Sequence, residues 1–172
     1  MYLMSTKPAE DLSSNLEDYL EAIYRLENTR RVARAKDIAA RLGVSRASVS
    51  GALKALADKG LINYEPYSYV TLTEQGQDIA RGIDRRHRIL RDFLQRILQM
   101  EPHAADDNAC RMEHGMDAQA LERLVRFLEF LGECPRVGDD WLAAFNQFCQ
   151  AGLDPKRCKT CLKNLGQGSS TG

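Results

Sequence analysis

Ala35-Lys36-Asp37-Ile38-Ala39-Ala40-Arg41-Leu42-Gly43-Val44-Ser45-Arg46-Ala47-Ser48-Val49-Ser50 is the stretch whose reading decides the fold. Ile38 and Leu42 stand four apart among good helix formers, so residues 35–42 read as a helix with one apolar side. Gly43 can take the left-handed conformation that ends a helix, and Ser45 can cap the next. The second helix runs from Arg46 to about Lys59, with Val49, Leu53 and Leu56 on its apolar side. Its outward positions, Arg46, Ala47, Ser48, Ser50 and Lys54, are small, polar or basic. This is the helix-turn-helix pattern, in which the second helix enters a major groove. Small residues let the backbones approach, Arg46 can reach a guanine edge or a phosphate, and Lys36 and Lys54 add positive charge. A three-helix bundle without a nucleic-acid role is the competing reading.

Working outward, Gly60 ends the second helix. Leu61–Tyr64 and Tyr69–Leu72 then read as short strands around a Glu65-Pro66-Tyr67-Ser68 turn. A hairpin in that place is a wing, whose tip residues Tyr67 and Ser68 can touch a sugar-phosphate backbone. On the N-terminal side, residues 1–13 form a leader and the first helix spans about Asn15–Glu27, capped by Ser13 or Ser14. Asp18 and Glu21 share a face of that helix, which with Glu17 nearby is equally the pattern of a solvated surface.

Residues 30–60 carry Arg30, Arg31, Arg34, Lys36, Arg41, Arg46, Lys54 and Lys59 against Asp37 and Asp58, although the whole chain balances 24 basic against 24 acidic residues. A compact basic segment in a neutral chain suits a polyanion such as double-stranded DNA, or an ordinary solvated face. At 172 residues, one or two small domains are expected, and 44% hydrophobic with 28% charged residues fits a largely helical protein. No run approaches the ~18 apolar residues of a membrane span and no export signal opens the chain, so a cytoplasmic location without membrane contact is expected. Five cysteines, an odd number, then read as reduced thiols or ligands.

Past Thr73, a plausible cap, Gln77–Gln99 has the apolar spacing of one long helix, which makes it a candidate dimer-forming element. His87 lies in it and alone reads as surface or packing. Met100-Glu101-Pro102 stops it. A short helix over about Ala105–His114 carries Cys110-Arg111-Met112-Glu113-His114, which places a thiol, a carboxylate and an imidazole on one face, a set that can converge on a divalent metal. Another helix spans Ala118 to Leu131, a break follows over Gly132–Gly138, and a last helix covers Trp141–Gln150. Cys110 and His114 also resemble a nucleophile and its base, but no glycine-rich oxyanion turn accompanies them, so neither an enzyme nor a small-molecule substrate is expected.

With the winged helix followed by His87 and Cys110-x-x-Glu113-His114, the chain resembles the DtxR/MntR family of iron- and manganese-responsive repressors. Leu16-Glu17-Asp18-Tyr19-Leu20-Glu21-Ala22-Ile23-Tyr24, Leu61-Ile62 and Leu72-Thr73-Glu74-Gln75-Gly76 are also similar to that family's motifs. The resemblance spans roughly Asn15–Leu131. It implies a mainly α fold: a winged helix-turn-helix DNA-binding domain over 1–74, a helical dimerisation and metal-binding domain over 75–131, and a C-terminal helix and tail over 132–172. It also implies a homodimer on operator DNA. Carried over by position, Asp18, Cys110, Glu113 and His114 form one metal site, and Glu21 and His87 a neighbouring one that shares Glu113.

The chain is a hybrid of the two types. Manganese-type members have a carboxylate where Cys110 stands, and iron-type members have a methionine where Asp18 stands. A thiolate is a softer ligand, which favours Fe(II) over Mn(II). Arg91 stands where the iron type has an ancillary glutamate, and the chain ends without room for that type's third domain. The tail departs from both types: Cys134, Cys149, Cys158 and Cys161 offer thiols for a zinc ion or an iron–sulfur cluster, or are incidental.

Overall fold

The computed structural model of the protein describes residues 12–30, 32–65, 69–133 and 139–151. Its helices are α1 (Ser14–Arg30), α2 (Ala35–Leu42), α3 (Arg46–Asp58), α4 (Glu74–Asp92), α5 (Pro102–Glu113), α6 (Ala118–Glu133) and α7 (Asp139–Ala151). Two short strands, β1 (Ile62–Asn63) and β2 (Thr71–Leu72), stand between α3 and α4. The chain divides into two compact units, Met1–Arg91 with Asp106–Met116, and Asp92–Ala105 with Asp117–Gly172. No described helix is long and apolar enough to cross a membrane.

Local chemistry sets the first unit. Ser13 Oγ accepts from the Leu16 amide and starts α1. Gly43 adopts φ +67° and closes α2, and Ser45 Oγ accepts from the Ser48 amide at 3.1 Å to open α3. The apolar sides of these helices meet in one core of Leu20 and Ile23 from α1, Ile38 from α2, and Val49, Leu53 and Leu56 from α3, all with essentially no exposure. Fully burying side chains of this size contributes about 1.5–3 kcal/mol each.

The wing is shorter in its ladder than the spacing predicts. The Leu61 amide still donates to the Leu56 carbonyl at 3.0 Å, so pairing begins only at Ile62. Ile62 then pairs with Leu72 and Asn63 with Thr71, antiparallel. Ala33 adds an isolated bridge to Val70, whose amide donates to the Ala33 carbonyl at 2.9 Å. From α1, Glu27 Oε1 accepts from the Leu72 amide at 3.3 Å. Thr73 donates to the Gly60 carbonyl and accepts from the Gly76 amide, so α4 begins three residues earlier than the apolar spacing alone indicates. Gly76 is needed there, because a Cβ would run into the Leu61 carbonyl.

The expected single helix over Gln77–Gln99 is interrupted. After Asp92 the backbone widens into a π-helical turn, Phe93–Ile97, with the Leu98 amide donating to the Phe93 carbonyl, and Gln99 takes φ +55°. Such a turn is uncommon and often marks a functional region. α5 begins at Pro102, ahead of the expected Ala105, because Glu101 Oε2 accepts from the His103 and Ala104 amides. Proline at the first helical position lacks only an amide that has no partner there anyway. In the second unit Asp117 caps α6, Leu121 is buried, and Phe127, Phe130 and Phe148 are exposed.

Candidate metal centre

Three helices supply one cluster of polar side chains. α1 carries Glu17, Asp18, Glu21 and Arg25, which share a side because helix neighbours lie three and four apart. α4 supplies His87, and α5 with the residue after it supplies Asp106, Cys110, Glu113 and His114. The structure brings together two groups: Asp18, Cys110, Glu113 and His114, and Glu21, His87 and Glu113. Within each group one potential ligand atom per residue lies within 4.8 Å of all the others. These are the same two sets that the family resemblance implies.

Glu113 is the shared member. It is 1% exposed, its Oε2 lies 3.0 Å from His87 Nδ1, and its Oε1 lies 3.6 Å from His114 Nε2. His87, 2% exposed, also has Glu21 Oε1 at 3.9 Å from Nδ1. In the other group, His114 Nε2 is 2.9 Å from Asp18 Oδ1, and the Cys110 thiol points at the same oxygen from 3.9 Å. Arg25 holds α1 to α4, with its Nε donating to Asp84 Oδ1 at 3.2 Å and its Nη2 2.7 Å from Glu21 Oε1.

Burial and neighbouring charges shift Cys110, Glu21, His87, His114 and Asp106. Burial pushes the Cys110 thiol up to about 11, and the charges of Asp18, Glu113 and Glu21 add to the shift. Burial, then the neighbouring Glu113 charge, raises Glu21. For His87 burial pulls downward, but the hydrogen bonds to Glu113 and Asp106 outweigh it and the net shift is upward. His114 behaves alike, with Glu17 and Asp18 as the opposing partners. Asp106 is lowered: burial raises it, and its bond to His87 more than compensates.

The donor set suits a divalent cation. Glu113 Oε1 is buried with no hydrogen-bond partner, at the point where the two groups meet. A buried carboxylate oxygen without a partner costs about 1–3 kcal/mol or more, which a bound cation there would offset. Nitrogen, sulfur and oxygen donors together are the mixture that mid-row divalent metals accept.

The candidate DNA-reading side chains lie where the helix-turn-helix pattern puts them. Lys36 on α2, Ser45 at the cap, and Arg46, Ala47, Ser48, Ser50 and Lys54 on α3 are exposed, opposite the buried Val49, Leu53 and Leu56. Ser48 Oγ lies 2.9 Å from Ser45 Oγ, and Ser50 Oγ donates to the Arg46 carbonyl, so these hydroxyls are already locally bonded. Tyr67 and Ser68 lie outside the described residues, as do Cys134, Cys158 and Cys161. Cys149 is a free, exposed thiol on α7.

Sequence profiles match on both sides of this geometry. Residues 11–70 match the iron dependent repressor N-terminal DNA binding domain, and residues 73–142 match the iron dependent repressor metal binding and dimerisation domain. The transcriptional regulator MntR of Escherichia coli is 38% identical over 114 residues, covering 66% of this chain and 73% of that protein. The chain belongs to the DtxR/MntR family. An HTH-type transcriptional regulator of Methanocaldococcus jannaschii is 37% identical over 120 residues, covering 69% of this chain and 95% of the relative. Among solved structures, the manganese regulator SloR superposes with a TM-score of 0.62 at 31% identity, covering 73% of this chain and 58% of that one. The DtxR/MntR family consists of metal-dependent, DNA-binding transcriptional repressors, and the mostly helical fold with its small two-stranded sheet matches theirs.

Sequence reasoning missed several residues of the cluster. Glu17 looked like part of a solvated face, yet it is buried, with Oε2 2.7 Å from His114 Nδ1. Asp106 Oδ1 lies 2.9 Å from His87 Nε2. One signal was available: Asp106 stands one turn before Cys110 and so shares its helix face. Arg34, one of the basic residues of the 30–60 segment, has a partner that its charge does not reveal. Its guanidinium lies 4.9 Å from the Tyr69 ring centroid and donates to Tyr69 Oη at 3.0 Å, beside the wing.

Proposed function

We propose that this family member is an Fe(II)-responsive repressor of metal-homeostasis genes, acting in the cytoplasm as a homodimer on double-stranded operator DNA. Residues 1–74 serve as the DNA reader, 75–131 as the dimerisation and metal-binding part, and 132–172 as an appended helix and tail. Asp18, Cys110, Glu113 and His114 hold one cation, and Glu21, His87 and Glu113 hold a second. The observation that carries this reading is the meeting of those two donor sets at Glu113, whose Oε1 is buried with no hydrogen-bond partner.

A divalent cation would add positive charge to a cluster in which Asp18, Glu21 and Glu113 crowd together and Arg25 is paired with Glu21. Without it, protons do that work: the Cys110 thiol stays neutral, and each imidazole sits between carboxylates. A cation in place of those protons would be held by Asp18 and Glu21 of α1 together with the α5 donors, and would tie the two helices. α1 also holds the wing through Glu27, so its position bears on the DNA reader. In the homodimer two copies of α3 must reach major grooves ~34 Å apart or a multiple of it. Cation and DNA then favour one state, with a coupling of about 1–3 kcal/mol that acts in both directions.

Cys110 supports iron, since a thiolate is a poorer partner for Mn(II) than for Fe(II). The oxygen donors Asp18 and Glu21 favour the second reading, a manganese-responsive repressor like the relatives named for that metal. Anaerobic competition of Fe(II) and Mn(II) against a chelating indicator separates the two. Tighter Fe(II) binding that falls toward the Mn(II) value in Cys110→Asp supports iron. Equal or tighter Mn(II) binding in the unaltered protein supports manganese.

A further inference from the structure

Each histidine of the metal centre has a second ring nitrogen, and both second nitrogens are occupied in the same way. His114 turns Nε2 to Asp18 Oδ1 and Glu113 Oε1, while its Nδ1 lies 2.7 Å from Glu17 Oε2. His87 is reversed: Nδ1 faces Glu113 Oε2 and Glu21 Oε1, while Nε2 lies 2.9 Å from Asp106 Oδ1. Behind each outer carboxylate stands an arginine of α4. Arg86 Nη2 is 3.6 Å from Glu17 Oε1, and Arg91 Nη1 is 3.8 Å from Asp106 Oδ1. Glu17 and Asp106 fall in neither group of converging ligand atoms.

We propose that Glu17 and Asp106 are positioning residues that make His114 a ligand through Nε2 and His87 a ligand through Nδ1, so that the two imidazoles bind metal in opposite tautomers. The inference rests on the metal-centre reading above. An imidazole that gives one lone pair to a cation keeps its proton on the other nitrogen. A carboxylate that accepts a hydrogen bond from that N–H fixes the tautomer and the ring plane and makes the ligand nitrogen more basic. Glu17 and Asp106 sit on the outward nitrogens, each on the side away from its donor group. Arg86 and Arg91 flank His87 in sequence and anchor one carboxylate each, which gives Arg91 a supporting place outside the ligand sets. The two relays are unequal. Glu17 is buried, whereas the Asp106 side chain is 50% exposed, where water can take its place.

The test uses the full 15N-labelled chain loaded with Zn(II), a diamagnetic cation, and long-range 1H–15N correlation of the imidazole nitrogens. The expected spectrum has the proton on Nδ1 and the metal shift on Nε2 for His114, and the reverse for His87. Glu17→Ala should weaken Zn(II) binding ~10–100-fold, the usual range for an outer partner of a ligating histidine. Glu17→Gln, which keeps an acceptor oxygen, should recover part of that loss, and Asp106→Ala should cost less than Glu17→Ala. The same tautomer at both histidines overturns the proposal, whatever the variants do. Unaltered affinity in both alanine variants overturns it as well. Zinc that leaves both imidazoles unperturbed overturns the metal-centre reading and this inference together. Perturbed imidazoles in like tautomers overturn the inference alone.

Discussion

Glu113 Oε2 lies 3.0 Å from His87 Nδ1, and that contact joins the two donor groups through one buried carboxylate. Loss of Glu113 therefore removes a member of both groups at once. Glu113→Gln, which keeps the side chain's size and an acceptor for His87, should leave a folded dimer. Its Fe(II) or Mn(II) binding should weaken by more than the ~10–100-fold typical of outer-partner changes. Anaerobic competition with a chelating indicator measures this, and binding within a few-fold of the unaltered protein contradicts it.

Cys110 should be inert toward alkylation at neutral pH in the metal-free protein. Burial holds its thiol near 11, against 9.0 for an unperturbed one, and the thiolate is the reactive form. The native state thus favours the neutral thiol, so its stability falls as the pH rises from the unfolded value toward the folded one. Iodoacetamide rates against pH, with the other cysteines changed to serine, should show a midpoint near 11. A midpoint at or below the ordinary value would overturn the buried placement.

The imidazoles, like the thiol, hold protons that a metal must displace. Burial pulls His87 and His114 down, but the carboxylates that accept from them, Glu113 and Asp106 for His87 and Glu17 and Asp18 for His114, raise both. A raised folded value contributes stability that is complete below the unfolded pKa and is lost as the pH rises through the folded one. The metal-free protein should accordingly melt at lower temperature as the pH is raised through that window. Metal uptake should release protons and tighten with rising pH. Calorimetry in two buffers of different ionisation heat reads the proton release, and none would contradict the account.

Arg46→Ala should weaken operator binding across sequences or at one base position, depending on whether Arg46 meets phosphate or guanine. A phosphate role lowers the salt dependence of binding by about one unit of slope; a guanine role costs about 1–3 kcal/mol at that base. Metal affinity of the free protein should stay unchanged. Unmoved DNA affinity would remove α3 from the reading surface.

Gly76→Ala should destabilise the winged unit. The added methyl meets the Leu61 backbone carbonyl, which cannot turn aside as a side chain can. A loss of about 1–3 kcal/mol or more is expected, read as a lower urea midpoint of the metal-free protein. An unchanged midpoint would mean that α4 does not approach Leu61 so closely.

The helix-turn-helix was legible because its punctuation is local: Gly43 closes one helix and Ser45 opens the next within three residues. The π turn after Asp92 was not, because Phe93, Leu94 and Ile97 continue the apolar spacing without a glycine or proline to mark the change. The six donors could be assigned only through the family resemblance, since each by itself fits a solvated or packed position. Glu17 shows the limit most clearly. An acid in a run of acids on α1 reads as solvent-facing, and only His114, 97 positions later, makes it buried and bonded. Asp106 was hidden for the same reason, its partner His87 lying 19 positions away on another helix.

The central claim, that a cation on the shared centre switches DNA binding, is tested most directly by fluorescence anisotropy under anaerobic conditions. The probe is a duplex enriched from a random-sequence library by the metal-loaded protein. Fe(II) should tighten binding of the unaltered protein by roughly 5–150-fold, the range of a 1–3 kcal/mol coupling, and should leave Glu113→Gln at its metal-free affinity. Equal affinity with and without metal in the unaltered protein, or an intact response in Glu113→Gln, would contradict it.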